Sequence, residues 1–461
     1  MKTTSFHSRA IALAALCACS DPTIPNLNDP VLPDVLTTHP QLQTQAIGLL
    51  TGDREQQAFT ILVLETMGRD LYRIDPSDPR YLQMPLGTFS PSAFLVDFTY
   101  NSQYRVIRGA KIILDAVDRS PTLEGFTFTP ADKAATKGFA GTMLALEYIR
   151  LIETRDTLGL PIVLNTDGSL PPIRCKPAVL DYIITTLDAA YADLGNAGAA
   201  FSFTLPRGFT SNGAFDRPAT FATFNRALAA KALTYKGLRD YARSGTTDAV
   251  SLNAALTALN RSFSSESAPL RDGVYHVYTA SSGDLTNFLY NPSVYRANPR
   301  VLAEAEPGDA RLSKIRDDPA QQLRAGDPTV RSSLVITNIS SPTSPLPIVT
   351  NEELILLRAE VEWALGNDPE ARRLANLVRT RAGGFAIPKA VPDRGDLLRF
   401  ILQQRRYSLL FESGGHLVDY RMFGLFPELG RELSSQSLGE MIIPFPEAEI
   451  DARKGDITCR P

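Results

Sequence analysis

NEELILLRAEVEWALGNDPEARRLANLVRTRAGG, residues 351–384, and DLLRFILQQRRYSLLFESGGHLVDYRMFGL, residues 396–425, are joined by a linker bounded by prolines. In the first segment Leu354, Leu357, Val361 and Leu365 recur at helical spacing and share one face. Gly366 and Asn367 are residues that tolerate the left-handed conformation at which such a helix stops. Asp368 then caps a new helix with Pro369 in its first turn, and Gly383-Gly384 ends it. The pattern predicts two helices joined by a very short turn.

A third helix is expected over about 396–412. Leu398, Ile401, Leu402 and Leu409 form its apolar stripe, but Arg405 and Glu412 fall on the same stripe. A charge facing a core is costly unless it is paired. The expectation is a buried structural network of Arg405, Arg406, Glu412, Asp419 and Arg421. A general acid/base pair is disfavoured, because the arginines would hold the carboxylates ionised and poor at donating protons.

These residues resemble a known family. Leu356-Leu357-Arg358-Ala359-Glu360, then Asn376 to Gly383 (NLVRTRAG), then Gln404 to Arg421 (QRRYSLLFESGGHLVDYR) are similar to the C-terminal signature of SusD/RagB nutrient-binding lipoproteins. Ile442 to Ile450 (IIPFPEAEI) resembles the closing element of that family. Gln404, Ser413 and His416 depart from the usual Glu, Gly and Arg. The resemblance implies a mainly α SusD-like fold: tetratricopeptide-like helix hairpins form a scaffold, and a loop-rich part carries short strands. A single domain over 35–461 is expected, with scaffold at about 35–263 and 351–425 and the loop-rich, ligand-facing part at about 264–350.

The chain has 461 residues, 44% hydrophobic and 21% charged, with net charge −3. That balance gives no field that would draw it to nucleic acid. The N-terminus reads as a targeting segment. Lys2, His7 and Arg9 precede a short apolar run, Ile11 to Leu16, and Leu16-Cys17-Ala18-Cys19 resembles a lipobox. Residues 1–18 are then a lipoprotein signal peptide, Cys19 the lipidated residue, and 19–34 a Pro-rich tether. A plain secretory signal cleaved near Ala18 is the other reading. Cys175 and Cys459 remain in the folded body, and the sequence leaves their pairing open.

Further helices are expected at Val35–Leu50, Phe59–Arg69, Tyr100–Asp118, Asp132–Thr154, Ala178–Leu194 and Phe221–Tyr241. Leu158 to Val163 (LGLPIV) is similar to a family element that follows one of these helices. An internal repeat places LAAKALTYKG, residues 228–237, in register with LRAEVEWALG, residues 357–366. Between the two halves, residues 272–278 alternate like a strand, and Leu334-Val335-Ile336 is a second strand candidate.

Catalytic motifs are missing: no GxSxG, P-loop, HExxH or GxGxxG opening a βαβ unit occurs, and no Cys/His spacing suits zinc. No catalytic residue, metal or cofactor is assigned. The resemblance implies a surface-exposed outer-membrane lipoprotein, not an enzyme. It would hold a nutrient, an oligosaccharide above all, for a SusC-like TonB-dependent transporter. Aromatic rings among polar neighbours suit sugars. Tyr72, Arg73 and Tyr81 in one loop and Tyr290 and Tyr295 in another are the candidate contacts, expected to converge on one exposed patch. A secreted helical-repeat adaptor that binds protein is the alternative, and an all-α glycosidase a third class.

Overall fold

Helices, several of them started by a side-chain cap, build the scaffold. The computed structural model describes residues 36–461, apart from 88, 120–121, 163–168, 211–213, 283, 327–329 and 431–441. Cys19, the leader and the tether lie outside the described residues. Thr38 and Gln41 form a capping box at the start of α1 (His39–Met67), and Thr129 and Asp132 form another at α3 (Pro130–Arg155). Between them runs α2 (Asn101–Arg119). Then come α4 (Lys176–Gly195), α5 (Pro218–Leu238) and α6 (Ala249–Arg261), the last capped by Asp248. The C-terminal set is α7 (Asn351–Ala364), α8 (Asp368–Arg381), α9 (Arg394–Ser408) and α10 (Gly415–Met422).

From α2 to α8 each helix packs on the next in sequence, as stacked helix hairpins do. The repeat seen in the sequence is real at this level: 228–237 lies in α5 and 357–364 in α7, each the first helix of a hairpin. The two matching glycines do different work. Gly366 takes φ +87° in the α7–α8 turn, whereas a Cβ on Gly237 would come within 2.6 Å of Leu252 on α6. One is there for its backbone and the other for close approach.

The strands lie mostly between the two helical sets. Among those described, β1 (Leu71–Arg73) pairs with β3 (Tyr295–Ala297). Likewise β2 (Gly273–His276) pairs with β6 (Leu346–Thr350), and β4 (Ile315–Asp317) with β5 (Leu334–Ile336), all antiparallel. Both strand candidates read from the sequence are thus strands. Cys175 and Cys459 are bonded, with Cα atoms 4.9 Å apart across a separation of 284 residues.

One sequence expectation needs correcting at α1. Two helices were expected, at 35–50 and 59–69, but a single helix runs through the polar stretch 51–58. Asp53, Gln56 and Gln57 are buried there. Asp53 meets Arg150 of α3 at 2.5 Å and His276 of β2 at 2.6 Å. Burial favours the neutral acid, yet Arg150 and His276 outweigh it and hold Asp53 below the usual carboxylate range. Neighbouring Glu147 goes the other way, pushed well up by burial and by the Asp53 charge.

The charged stripe of α9 is buried, and of the expected network Arg405 meets Asp419 but not Glu412. Arg405 lies 2.7 Å from Glu360 of α7 and 2.9 Å from Asp419 of α10. It does not meet Glu412, because α9 ends at Ser408 and Phe411 turns the chain through φ 65°. Glu412 therefore leaves the stripe and binds Arg271 at 2.8 Å, with Lys314 at 3.8 Å. Arg406 binds Asp70 and Glu304, and Arg421 lies 3.3 Å from Asp156.

The turn after α9 is held from α1. Glu65 accepts the Gly414 N–H at 2.9 Å, and burial together with the Asp70 charge pushes its carboxyl up to about 8, from 4.5. A carboxyl whose pKa rises on folding stabilises fully below its unfolded pKa, and that contribution fades as pH climbs through the folded value. Glu65 thus costs stability increasingly from about pH 4.5 to 8, by at most about 1.4 kcal/mol per pH unit. Glu65→Gln keeps the acceptor for Gly414 and removes the titration. Denaturation midpoints measured across that range should fall less steeply with pH in the variant, which should be the more stable protein at pH 8. Parallel profiles would contradict this.

Candidate functional site

The two loops singled out in the sequence do meet. In the β1–β3 ladder Leu71 faces Ala297, Tyr72 faces Arg296 and Arg73 faces Tyr295. Alternation along a strand sends Arg73 and Tyr295 to one face and Tyr72 to the other. Tyr72, 4% exposed, packs with Ile74, Leu82, Leu86 and Val330 in a small core of its own. Tyr295, 3% exposed, belongs to a second core with Leu71, Leu289 and Tyr407. The expectation of exposed rings is therefore corrected for these two tyrosines: the ladder that joins the loops also covers them. Tyr290 is half-buried against the same core as Tyr295.

Tyr81 and Arg73, both half-buried, lie at this junction inside an aromatic cluster. The Arg73 guanidinium sits 3.5 Å from the Tyr81 ring centroid and 5.0 Å from that of Phe288, a cation–π arrangement. Asp75 holds it from the side at 3.1 Å. Tyr81 meets Phe94 edge-on at 4.9 Å. Phe59 of α1 stacks on Phe98 at 4.8 Å and lies 4.2 Å from Phe288. Arg80 reaches over Phe94 at 4.7 Å and pairs with Asp78 at 2.8 Å.

The geometry is a face of half-buried rings with guanidinium and carboxylate groups at its edge. Phe98 is 39% exposed, and among the described residues it is the one aromatic among the exposed large hydrophobics. One ring is thus left partly in water beside four half-buried ones. Such a face can stack on the C–H side of a flat ligand, while Arg80 and Asp78 hydrogen-bond its rim.

Phe59, Phe94 and Phe98 were not among the residues expected from the sequence. Phe59 reads as a core position of α1. Phe94 and Phe98 sit four apart in FLVDF, a short helical turn, and that spacing was the available signal. Among the described residues no group of His, Cys, Asp and Glu is placed to hold a metal, and no helix is long and apolar enough to cross a membrane.

No family model and no curated protein sequence matches the chain. Solved structures do match in shape. A SusD superfamily protein from Bacteroides thetaiotaomicron superposes with TM-score 0.67 at 16% identity, over 91% of this chain and 99% of that one. Surface glycan-binding protein A from the same organism gives 0.64 at 15% identity, over 91% and 98%. A third, crystallised with a xylogluco-oligosaccharide, gives 0.60 at 14% identity, over 85% of each chain. Identities this low speak for the fold, and in fold the chain is a SusD-like protein, as its C-terminal motifs resemble.

Proposed function

We propose that this chain is a nutrient-binding protein that holds an oligosaccharide on the face made by Phe98, Phe59, Phe94, Tyr81 and Phe288. The observation that carries the reading is Phe98, exposed on a cluster of rings that Arg73 and Arg80 brace. Rings fixed from behind lose little freedom when a ligand lands on them. Sugars present a C–H face for stacking and hydroxyls for Arg80, Asp78 and Tyr81. The solved structures of the same fold include glycan-binding proteins, which supports the same class of ligand. No catalytic role is proposed.

The test is binding of the full chain to a panel of plant, bacterial and host oligosaccharides. Phe98→Ala should weaken the glycan that binds by about 1–3 kcal/mol, by analogy with base–aromatic stacking. Its melting temperature should stay close to that of the parent, because the ring is part-exposed already. Equal affinity in the two proteins would remove the face from the site. A panel with no binder, beside a captured protein partner, would favour the adaptor reading.

The same proposal places the protein on the outer-membrane surface, anchored through Cys19 and delivering its ligand to a SusC-like TonB-dependent transporter. Support comes from the lipobox-like Leu16 to Cys19 and the Pro-rich run behind it. Cys19→Ser should move the protein from the membrane to the soluble fraction in cells lacking the transporter. Continued membrane fractionation there would rule out the anchor.

A further inference from the structure

A groove of about 540 Å³ opens beside α9 and α10, and it shares no residue with the aromatic face. His416 lines it, with a side chain only 5% exposed. Its Nδ1 lies 2.9 Å from Asp70 Oδ2. Burial alone would raise the Asp70 carboxyl, but Arg406 and His416 outweigh it and keep Asp70 ionised. A carboxylate only accepts, so Nδ1 carries a proton and donates to Asp70. Nε2 has no hydrogen-bond partner among the described residues, and it is the polar edge the imidazole has left for the groove.

Two more free groups stand nearby. Tyr420 meets the imidazole edge-on at 4.4 Å, and its hydroxyl has no partner among the described residues. Asp396, in the first turn of α9, makes no ion pair among them. The cations of the groove are engaged already: Arg399 with Glu428 at 2.6 Å, Arg300 with Glu304 at 2.7 Å, and Arg406 with Asp70. Val391 and Phe400 supply an apolar wall.

The free groups are an imidazole nitrogen, a hydroxyl and a carboxylate, and the positive ones are already matched. An anion finds no unpaired cation. A cation meets Arg300, Lys389, Arg399 and Arg406 against Glu304, Asp396 and Glu428, which offers it no net attraction. A neutral ligand rich in hydroxyl groups, with an apolar side for the Phe400 wall, fits every feature. The volume lies in the range of small-molecule sites, about 300–1,000 Å³.

We propose that this groove is a second ligand site, taking a neutral, hydroxyl-rich ring such as a sugar residue, with its hydroxyls hydrogen-bonded to His416 Nε2, Tyr420 and Asp396. It stands independently of the aromatic face and would hold even if that face bound nothing. The sequence has only four histidines, so histidine-selective ¹⁵N labelling of the full chain gives a readable signal. Maltose, cellobiose, lactose and sucrose are titrated in turn, with glucuronate as the charged control. At least one neutral disaccharide should shift the His416 Nε2 resonance saturably. Asp396→Ala and Tyr420→Phe, which keep the backbone in place, should each weaken that binding about fivefold, the loss of one hydrogen bond. Phe98→Ala should leave it unchanged. The site is refuted if no neutral disaccharide moves His416 up to its solubility limit, if only glucuronate does, or if both groove variants bind as the parent does.

Discussion

Arg405→Leu is expected to cost about 3–5 kcal/mol of folding stability in chemical denaturation, the loss that follows when one member of a buried pair is removed. Arg405 is 3% exposed and lies between Glu360 and Asp419, which are 0% and 4% exposed. Without the guanidinium, Asp419 is a buried carboxylate facing other acids. The contrast is Glu360→Gln. Burial, with the nearby Asp419 and Glu353 charges, pushes Glu360 well above the carboxylate range in spite of Arg405. Its amide replacement should change stability by less than about 1 kcal/mol, the scale of a neutral hydrogen bond. A large loss in Arg405→Leu beside a small one in Glu360→Gln identifies Asp419 as the partner that matters. If Arg405→Leu denatures with the parent, the corner is held by packing alone.

Replacing both Cys175 and Cys459 by serine should cost about 2–5 kcal/mol, the usual loss of a native disulfide. The bond joins the N-cap of α4 to the segment after Ile457 across 284 residues. Long loops gain most from such closure in the chain-entropy account. Two backbone contacts at the same place, Cys175 N–H to Arg460 and Arg460 N–H to Ile173, hold the ends together in the native state. The readout is the denaturation midpoint with and without reductant. Reductant should bring the parent down to the double-serine protein and leave that variant where it was. An unmoved parent would mean that the bond adds nothing.

The helix hairpins of the C-terminal half were legible because their apolar spacing and stop residues agree, as at Leu354 and Gly366, although Asn367 and not Asp368 stands at the N-cap of α8. Polar residues that face inward were not legible. Residues 51–58 look like a loop because Asp53, Gln56 and Gln57 are polar, yet they are buried against α3 and the strands. The pairing of Arg405 was misplaced for a related reason. Helical spacing aligns it with Glu412, but the left-handed Phe411 ends that alignment, and only the fold reveals Glu360.

The candidate site was half legible. Loop position and aromatic content brought Arg73, Tyr81 and Tyr295 to one place. The strand pairing that joins them then decides which rings see water, and a three-residue strand among polar neighbours gives no such warning. Phe98 was hidden by the opposite effect, since a phenylalanine in a short helical run reads as core.

Stacks of similar hairpins carry a hazard: like units can exchange places, within one chain or between two copies. Here each interface bears its own charges. Asp53 meets Arg150 between α1 and α3, Glu153 and Glu353 share Lys231 between α3, α5 and α7, and Arg405 joins α7, α9 and α10. A hairpin seated in its neighbour's place would find aliphatic contacts almost as good, but it would strand an ion in the dry interior. The charged core thus acts as a set of address labels that makes any other order of assembly costly.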